Sequence, residues 1–443
     1  MQSSLHSSYI TIQQRLFPMV EEELGPMTPR LKQFASLAEL ANPVYFAPLF
    51  FLRGGAGRPQ KPREWLFRAF LFKIVFGIEK TKNLAEMLRR DASARRLCGW
   101  DLPRDVPSES TFSRAFAEFA SQGLPAAVHE AIVKAYANES AVGHASMDST
   151  AIHAREKSLR EKPSEAGSRG RGRGRKRRAA KRFHGAAQNA ALDAEIKSIR
   201  AAAGKAARKA AEAAEAAAAS AAKAAAKAAG KAVRASKAAK AAAPSAPSAP
   251  ENKDFSRLAI QPGRALEENL ADLPSACDWG CKNNSKGRGE YWRGYKLHLA
   301  ADDNGVILCA ILTSASLNDS QAAIPLMQMS SRRARAYYDL ADAAYDAQEI
   351  RDFSRSLGRV PIIDTRPRPN GAPHPEALDP AQKLRYNART AAERANSDLK
   401  DNCLGRKTYY RGAQKLFCHL MFGILTITVK QIFNIFERSA CAA

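Results

Sequence analysis

From residue 13 to about 137 the apolar positions fall at three- and four-residue steps; beyond 141 they gather into short alternating runs. The first spacing belongs to amphipathic helices and the second to strands. Phe67, Phe70, Leu71, Ile74 and Ile78 share one side of a helix behind Pro62, a residue suited to a helix start. Leu84, Met87 and Leu88 begin a second stripe. A third helix opens with the hydroxyls of Ser108, Ser110 and Thr111 and continues through Phe116 and Phe119. The stripes predict a bundle resembling a helix-turn-helix unit, and a bundle that serves only for packing would carry the same pattern.

Residues 144–152 read as a strand with Ser146, Asp148 and Thr150 on one side. Residues 295–300 and 306–312 are two apolar runs joined through Asp303-Asn304-Gly305, and Asn-Gly between such runs is a hairpin signal. Asp319 and Ser320 cap a helix reaching toward Arg333. A strand over 336–341 ends at Asp342, a helix over 347–357 is closed by Gly358, and a strand follows at 360–363. Residues 386–400, YNARTAAERANSDLK, are alanine-rich and read as one helix. The order strand, hairpin, helix, strand, helix, strand, helix is that of an α/β mixed sheet. The apolar run 416–429, too short to span a bilayer, is expected to be a buried terminal helix.

Composition changes this picture in one place. The 443 residues carry a net charge of +25, and the segment 155–240, with 24 basic and 7 acidic residues, holds +17 of it. Within it, 169–178 is an Arg/Gly run, and 201–243 has 27 alanines in 43 residues. Alanine offers too little apolar surface for a core, so this stretch is an insertion, either a solvated tether or a contact for the DNA backbone. The expected organisation is a helical N-terminal domain at 1–140, the first part of the mixed-sheet α/β domain at 141–157, the basic low-complexity insertion at 158–275 and the second part of the α/β domain at 276–443. So basic a balance favours nucleic acid over a membrane surface as partner. The 7 scattered cysteines and the lack of a signal peptide point to the cytoplasm; Cys277 and Cys281 lack a second pair for zinc.

The candidate chemistry lies in 386–400. At 100° per residue, Tyr386, Arg389, Glu393 and Lys400 fall within about 60° of one another, while Leu384, Ala388, Ala391, Ala395 and Leu399 lie opposite. A structural salt-bridge ladder is the plain alternative. Asp148 sits on the first strand and Asp342 at the end of a later one, so the two aspartates meet if those strands are neighbours. A helix over that edge brings Glu393 to them. Three converging carboxylates suit a hard divalent cation, and Arg389 and Lys400 beside Glu393 suit phosphates.

Tyr386-x2-Arg389-x3-Glu393-x6-Lys400 resembles the Y-(2)-R-(3)-E-(6)-K signature of bacterial insertion-sequence DDE transposases. Met147-Asp148-Ser149-Thr150 resembles the family's first-aspartate motif, and 340–346, with Asp342 and Tyr345, its second. Residues 294–299 and 318–320 resemble the intervening stretch, and 65–119 the helical N-terminal region. The likeness covers about 60% of the chain, 40–155 and 280–436. It departs at Ala343-Ala344, where the family usually has a basic residue and a glycine, and at the insertion. The resemblance implies an RNase H-like mixed-sheet catalytic domain preceded by an all-α domain, with Asp148, Asp342 and Glu393 holding two Mg²⁺ ions (Mn²⁺ as substitute). It implies a transposase, expected as a homodimer, acting on terminal inverted repeats and target DNA, with Tyr386, Arg389 and Lys400 against DNA. A DNA-compacting protein without catalysis and a metal-dependent nuclease without strand transfer are the alternatives. Asp339, Asp302, Asp303 and Asp398 are expected to lie outside the site and His298 and His153 to be structural; Trp279, Tyr291 and Trp292 are expected to be buried, with stacking on a DNA base as the alternative.

Overall fold

A computed structural model describes residues 5–46, 61–140, 142–158, 257–283, 289–365, 378–406 and 408–442. The chain divides into two units, Met1–Ser164 with Asp254–Ala443, and Glu165–Lys253. The described residues belong to the first. The Arg/Gly and Ala/Lys runs lie outside them.

Six strands form one mixed sheet. They are β1 (Val142–His153), β2 (Asp278–Asn283), β3 (Gly289–Ala301), β4 (Ile307–Ser314), β5 (Ala336–Ala341) and β6 (Val360–Ile363). The order runs β2-β3-β1-β5-β6, and β4 also pairs with β3. The strands β1, β5 and β6 are mutually parallel, whereas β3 runs antiparallel to β1, β2 and β4. The expected Asn-Gly hairpin joins β3 to β4. Asp302 Oδ1 accepts from the backbone N–H of Asn304 and Val306, and Gly305 takes φ +80°, a conformation glycine adopts without strain. At Gly294 the pairing of β3 passes from β2 to β4. A Cβ there would lie 2.1 Å from the Ile152 carbonyl oxygen, so only glycine permits that approach of β1 and β3.

Among the helices, α1 (Arg63–Val75), α2 (Thr81–Arg90), α3 (Glu109–Gln122) and α4 (Leu124–Glu139) belong to the N-terminal region. The helices α5 (Ser320–Ser331), α6 (Gln348–Ser356), α7 (Thr390–Asp401) and α8 (Ala413–Ala442) follow the hairpin. Alternation along the strands gives each sheet face its own core. Met147, Ala300, Cys309, Ala341 and Ile363 pack with α5 and α6, whereas Ile152, Leu297, Leu299 and Ala310 face α7, α8 and the N-terminal helices. The expected boundary at 140 is a change of secondary structure and not a break in the core. Phe422 of α8 lies 4.9 Å from Phe67 and 5.7 Å from Phe70, ring centre to ring centre, inside the bundle's aromatic cluster.

Two expectations are corrected and one, the buried terminal helix, is met and extended. Residues 257–275 are part of the fold: Leu266–Asp272 is a helix, Leu273 joins the α5 core, and Arg257 pairs with Asp272 at 2.6 Å. The terminal helix has 30 residues, well beyond 416–429; its part Ala413–Ser439 is long and apolar enough to cross a membrane, but 83% of its most apolar window is buried in the protein. Residues 386–400 are not one straight helix. The helix Pro380–Tyr386 ends, Asn387–Arg389 tighten into a 3-10 turn, and α7 begins at Thr390. Thr390 Oγ1 donates to the Asn387 carbonyl at 3.1 Å, the local bond by which hydroxyl residues bend helices. Leu384 is consequently 74% exposed instead of packing on the sheet with Ala391, Ala395 and Leu399.

Candidate active site

The strand register sets the two aspartates side by side. In the parallel pair of β1 and β5, Ser146 lies opposite Leu340; two residues on, Asp148 reaches the level of Asp342, just past the end of β5. Neighbouring strands are about 4.8 Å apart. Alternation turns both side chains toward α7, away from Met147 and Ala341. Asp342 caps the 3-10 turn Ala343–Tyr345, its Oδ1 accepting from the Ala344 N–H at 2.9 Å, and Asp148 Oδ2 accepts from Asn396 Nδ2 at 2.9 Å.

Burial raises the pKa of both carboxyl groups. For Asp148 the Asn396 amide, the Ser149 N–H and the Arg389 charge pull it back, and the charge of Asp342 pushes it up further. For Asp342 the Ala344 N–H, Arg389 and Lys282 oppose burial, while Asp319 reinforces it. The cations form a rim. The pKa of Arg389 is raised: burial lowers it, but the phenol of Tyr386, Glu393, Asp148 and Asp342 outweigh that. Lys400 is lowered by burial and by the charges of Lys282 and Arg406, against the pull of Asp148 and Asp401. Tyr386 packs its ring 5.4 Å from the Arg389 guanidinium.

Glu393 stands on the rim. Its side chain is 49% exposed and Oε1 accepts from Arg389 Nη2 at 2.5 Å. Among the described residues no three His, Cys, Asp or Glu side chains gather as a metal cluster. The fold therefore brings Asp148 and Asp342 together, with Arg389 and Lys400 within electrostatic reach, and leaves Glu393 paired one turn away.

The other acids lie where the sequence sets them. Asp339 is on the opposite sheet face, bound to Arg359 at 3.0 Å and to the Ser354 hydroxyl at 2.7 Å. Asp302 and Asp303 are in the hairpin turn, and Asp398 accepts from Lys430 and Asn402. His298 is buried against Thr313, and burial pushes its pKa down to about 4; Trp292 is buried with its indole N–H on the Tyr295 carbonyl. Sequence reasoning missed one neighbour of the pair, Asn396, three residues after Glu393 and so on the same side of α7. Also missed is Lys296, on the Met147 face of the sheet, which donates to Asp319 Oδ1 and to the Leu317 carbonyl, both at 2.8 Å. It was visible only as part of the 294–299 stretch. Asp319, expected as a helix cap, spends its side chain on Lys296.

A mixed α/β sheet with paired aspartates at adjoining parallel strand ends and a basic rim is an architecture suited to phosphoryl chemistry. The transposase DDE domain family matches residues 263–429, and the family described as transposase domain (DUF772) matches residues 21–118. Over 122 residues the chain is 30% identical to a protein of Burkholderia cepacia described as a transposase for insertion sequence element IS402, which covers 25% of this chain. The chain spans 57% of that relative's length. No solved structure matches it. The two family matches and this relative together support an insertion-sequence DDE transposase. The two matched ranges include Asp342, Glu393, α1, α2 and most of α3, and exclude α4 and Asp148.

Proposed function

We propose that the protein is a DNA transposase that cuts at its element's terminal inverted repeats and joins the resulting 3′ ends to target DNA. The observation that carries the reading is the Asp148–Asp342 pair, set by the β1–β5 register at the edge facing α7. The order of β4-β3-β1-β5-β6, with β3 running against the other four strands, supports an RNase H-like catalytic domain.

A divalent cation fits the pair. Two adjoining half-buried carboxylates are costly when both ionise, and a cation between them relieves both burial and repulsion. Asp148 and Asp342 would hold it, and Glu393 would join them on leaving Arg389. When bound, Mg²⁺ (two ions, with Mn²⁺ as substitute) would activate a water or 3′-hydroxyl and stabilise the leaving oxygen in an in-line displacement. Arg389 supplies a planar two-pronged contact to a phosphate beside the scissile bond, Lys400 a point charge on its other side, and Tyr386 fixes the guanidinium by stacking. In this reading the partners are the terminal inverted repeats, target DNA and a second copy of the chain, in the cytoplasm.

The test incubates the full-length protein with duplexes carrying the inverted repeats that flank its gene, a target plasmid and Mg²⁺. Nicked ends and joined products are expected. Asp148→Ala and Asp342→Ala should lose both while keeping gel-shift affinity. Cleavage without joining would reduce the protein to a nuclease, and binding without cleavage to a DNA-binding protein.

A further inference from the structure

Asn396 is 5% exposed on α7, and its Nδ2 donates to Asp148 Oδ2. An ionised carboxylate only accepts, so the amide nitrogen must face Asp148 and the amide oxygen must face elsewhere. That oxygen is buried and has no hydrogen-bond partner among the described residues. It shares a carbon with the donating nitrogen and therefore lies beside Asp148. Leaving a buried acceptor unmet is costly, and apolar side chains of the same size would fill the position without that penalty.

We infer that Asn396 is a positioning residue of the aspartate pair, holding the Asp148 carboxylate with its amide nitrogen and offering its amide oxygen to the hydration water of a divalent cation. The inference rests on the reading of Asp148 and Asp342 as cation ligands. A phosphate oxygen cannot satisfy the orphan acceptor, because both accept; a water on a cation donates, and its polarised O–H makes the stronger bond. The position follows from α7. Asn396 comes three residues after Glu393 and four before Lys400, so the three share one side of the helix, with Asn396 in the middle and deepest. Its buried neighbours Ala392, Ala395 and Leu399 are small or apolar, which lets α7 sit close enough for a short amide to reach β1.

The test is Mn²⁺ binding by the full-length protein without DNA, read from the electron paramagnetic resonance signal of the free ion. Asn396→Leu keeps the volume and removes both polar atoms; Asn396→Ala removes the side chain; Asp148→Asn is the reference. Each Asn396 variant that keeps the parent's metal-free melting transition should bind Mn²⁺ about 10-fold more weakly, as expected for groups that orient ligands. The Mg²⁺ concentration for half-maximal cleavage should rise by a similar factor, with much of the rate recovered at saturation. Parent-like Mn²⁺ affinity in the folded Asn396 variants, alongside weakened binding by Asp148→Asn, would overturn the inference alone. Equal binding by the parent and Asp148→Asn would overturn the carboxylate reading and this inference with it.

Discussion

Asp339 and Asp342 stand three residues apart at the end of one strand and meet opposite surroundings. Asp339 points toward α5 and α6, is 1% exposed, and is answered by the Arg359 guanidinium and the Ser354 hydroxyl. Asp342 points the other way, toward α7, and among the described residues its direct partner is one backbone N–H. Burial pushes the pKa of both upward. The difference is compensation: the first carboxylate is completed by its own chain, whereas the second has only distant cations and another carboxylate beside it. A strand that solves the problem of a buried acid on one face and leaves it open on the other supports assigning the open one to a ligand.

The largest expected effect separates the two by activity. Asp342→Ala and Asp148→Ala should reduce single-turnover cleavage of an end-sequence duplex by about a thousandfold or more, the scale of losing a group that acts on transition-state charge. Their melting temperatures should hold. Asp339→Ala should do the reverse in kind, costing about 3–5 kcal/mol in denaturant unfolding because Arg359 is left buried and unpaired. Replacing both partners, Asp339→Leu with Arg359→Met, should recover most of that stability. If Asp342→Ala proved as destabilising as Asp339→Ala, the contrast would collapse.

Next comes the rim. Arg389→Ala should slow cleavage about tenfold to a hundredfold at saturating Mg²⁺, and Arg389→Lys should restore only part of it, since a point charge lacks the two-pronged geometry. Asp398→Ala is the control; its bonds to Lys430 and Asn402 are peripheral, so the rate should be nearly unchanged and stability should fall by no more than about 1 kcal/mol. Equal rate losses for Arg389→Ala and Asp398→Ala would break the assignment of one helix side to substrate.

The smallest effect is a pH dependence. A carboxyl group whose folded pKa lies above its unfolded value binds more protons folded than unfolded, so it costs stability as pH rises through the window between the two values. Asp342 and Asp148 both have this sign. Asp342→Asn should therefore raise the metal-free melting temperature at neutral pH, on the order of 2 °C, and the gain should vanish below the ordinary carboxylate range. Divalent cation should stabilise the parent and not the variant.

Much of this arrangement was readable before the fold. The strands at 336–341 and 360–363 appear with their predicted bounds, because apolar residues there are bracketed by polar ones and by Gly358. The hairpin was announced by Asn304-Gly305, and the opposite orientation of Asp339 and Asp342 followed from strand period alone. What was not readable depends on contacts distant in sequence. Asn396 looks like any helix-surface asparagine until β1 comes within hydrogen-bond reach. The break at Asn387–Arg389 comes from a side-chain-to-backbone bond that helix propensity does not weigh, so angles computed across it placed Leu384 on the wrong side. Strand β2, Asp-Trp-Gly-Cys-Lys-Asn, is too short and too polar to declare itself and exists because β3 offers it an edge.

The helix α8 carries one more consequence, for fragments of the chain. At 30 residues it is about 45 Å long, and it buries Leu420, Ile424 and Leu425 against both the sheet and the helices before residue 140. Severing the chain at residue 140 would bare Phe67, Phe70 and Phe119 on one piece and Phe422 on the other, so neither piece would be expected to persist as a soluble competitor of the whole. A copy of the gene that loses its last codons through α8 would likewise forfeit both regions at once, leaving no independently folded remnant to bind the element's ends.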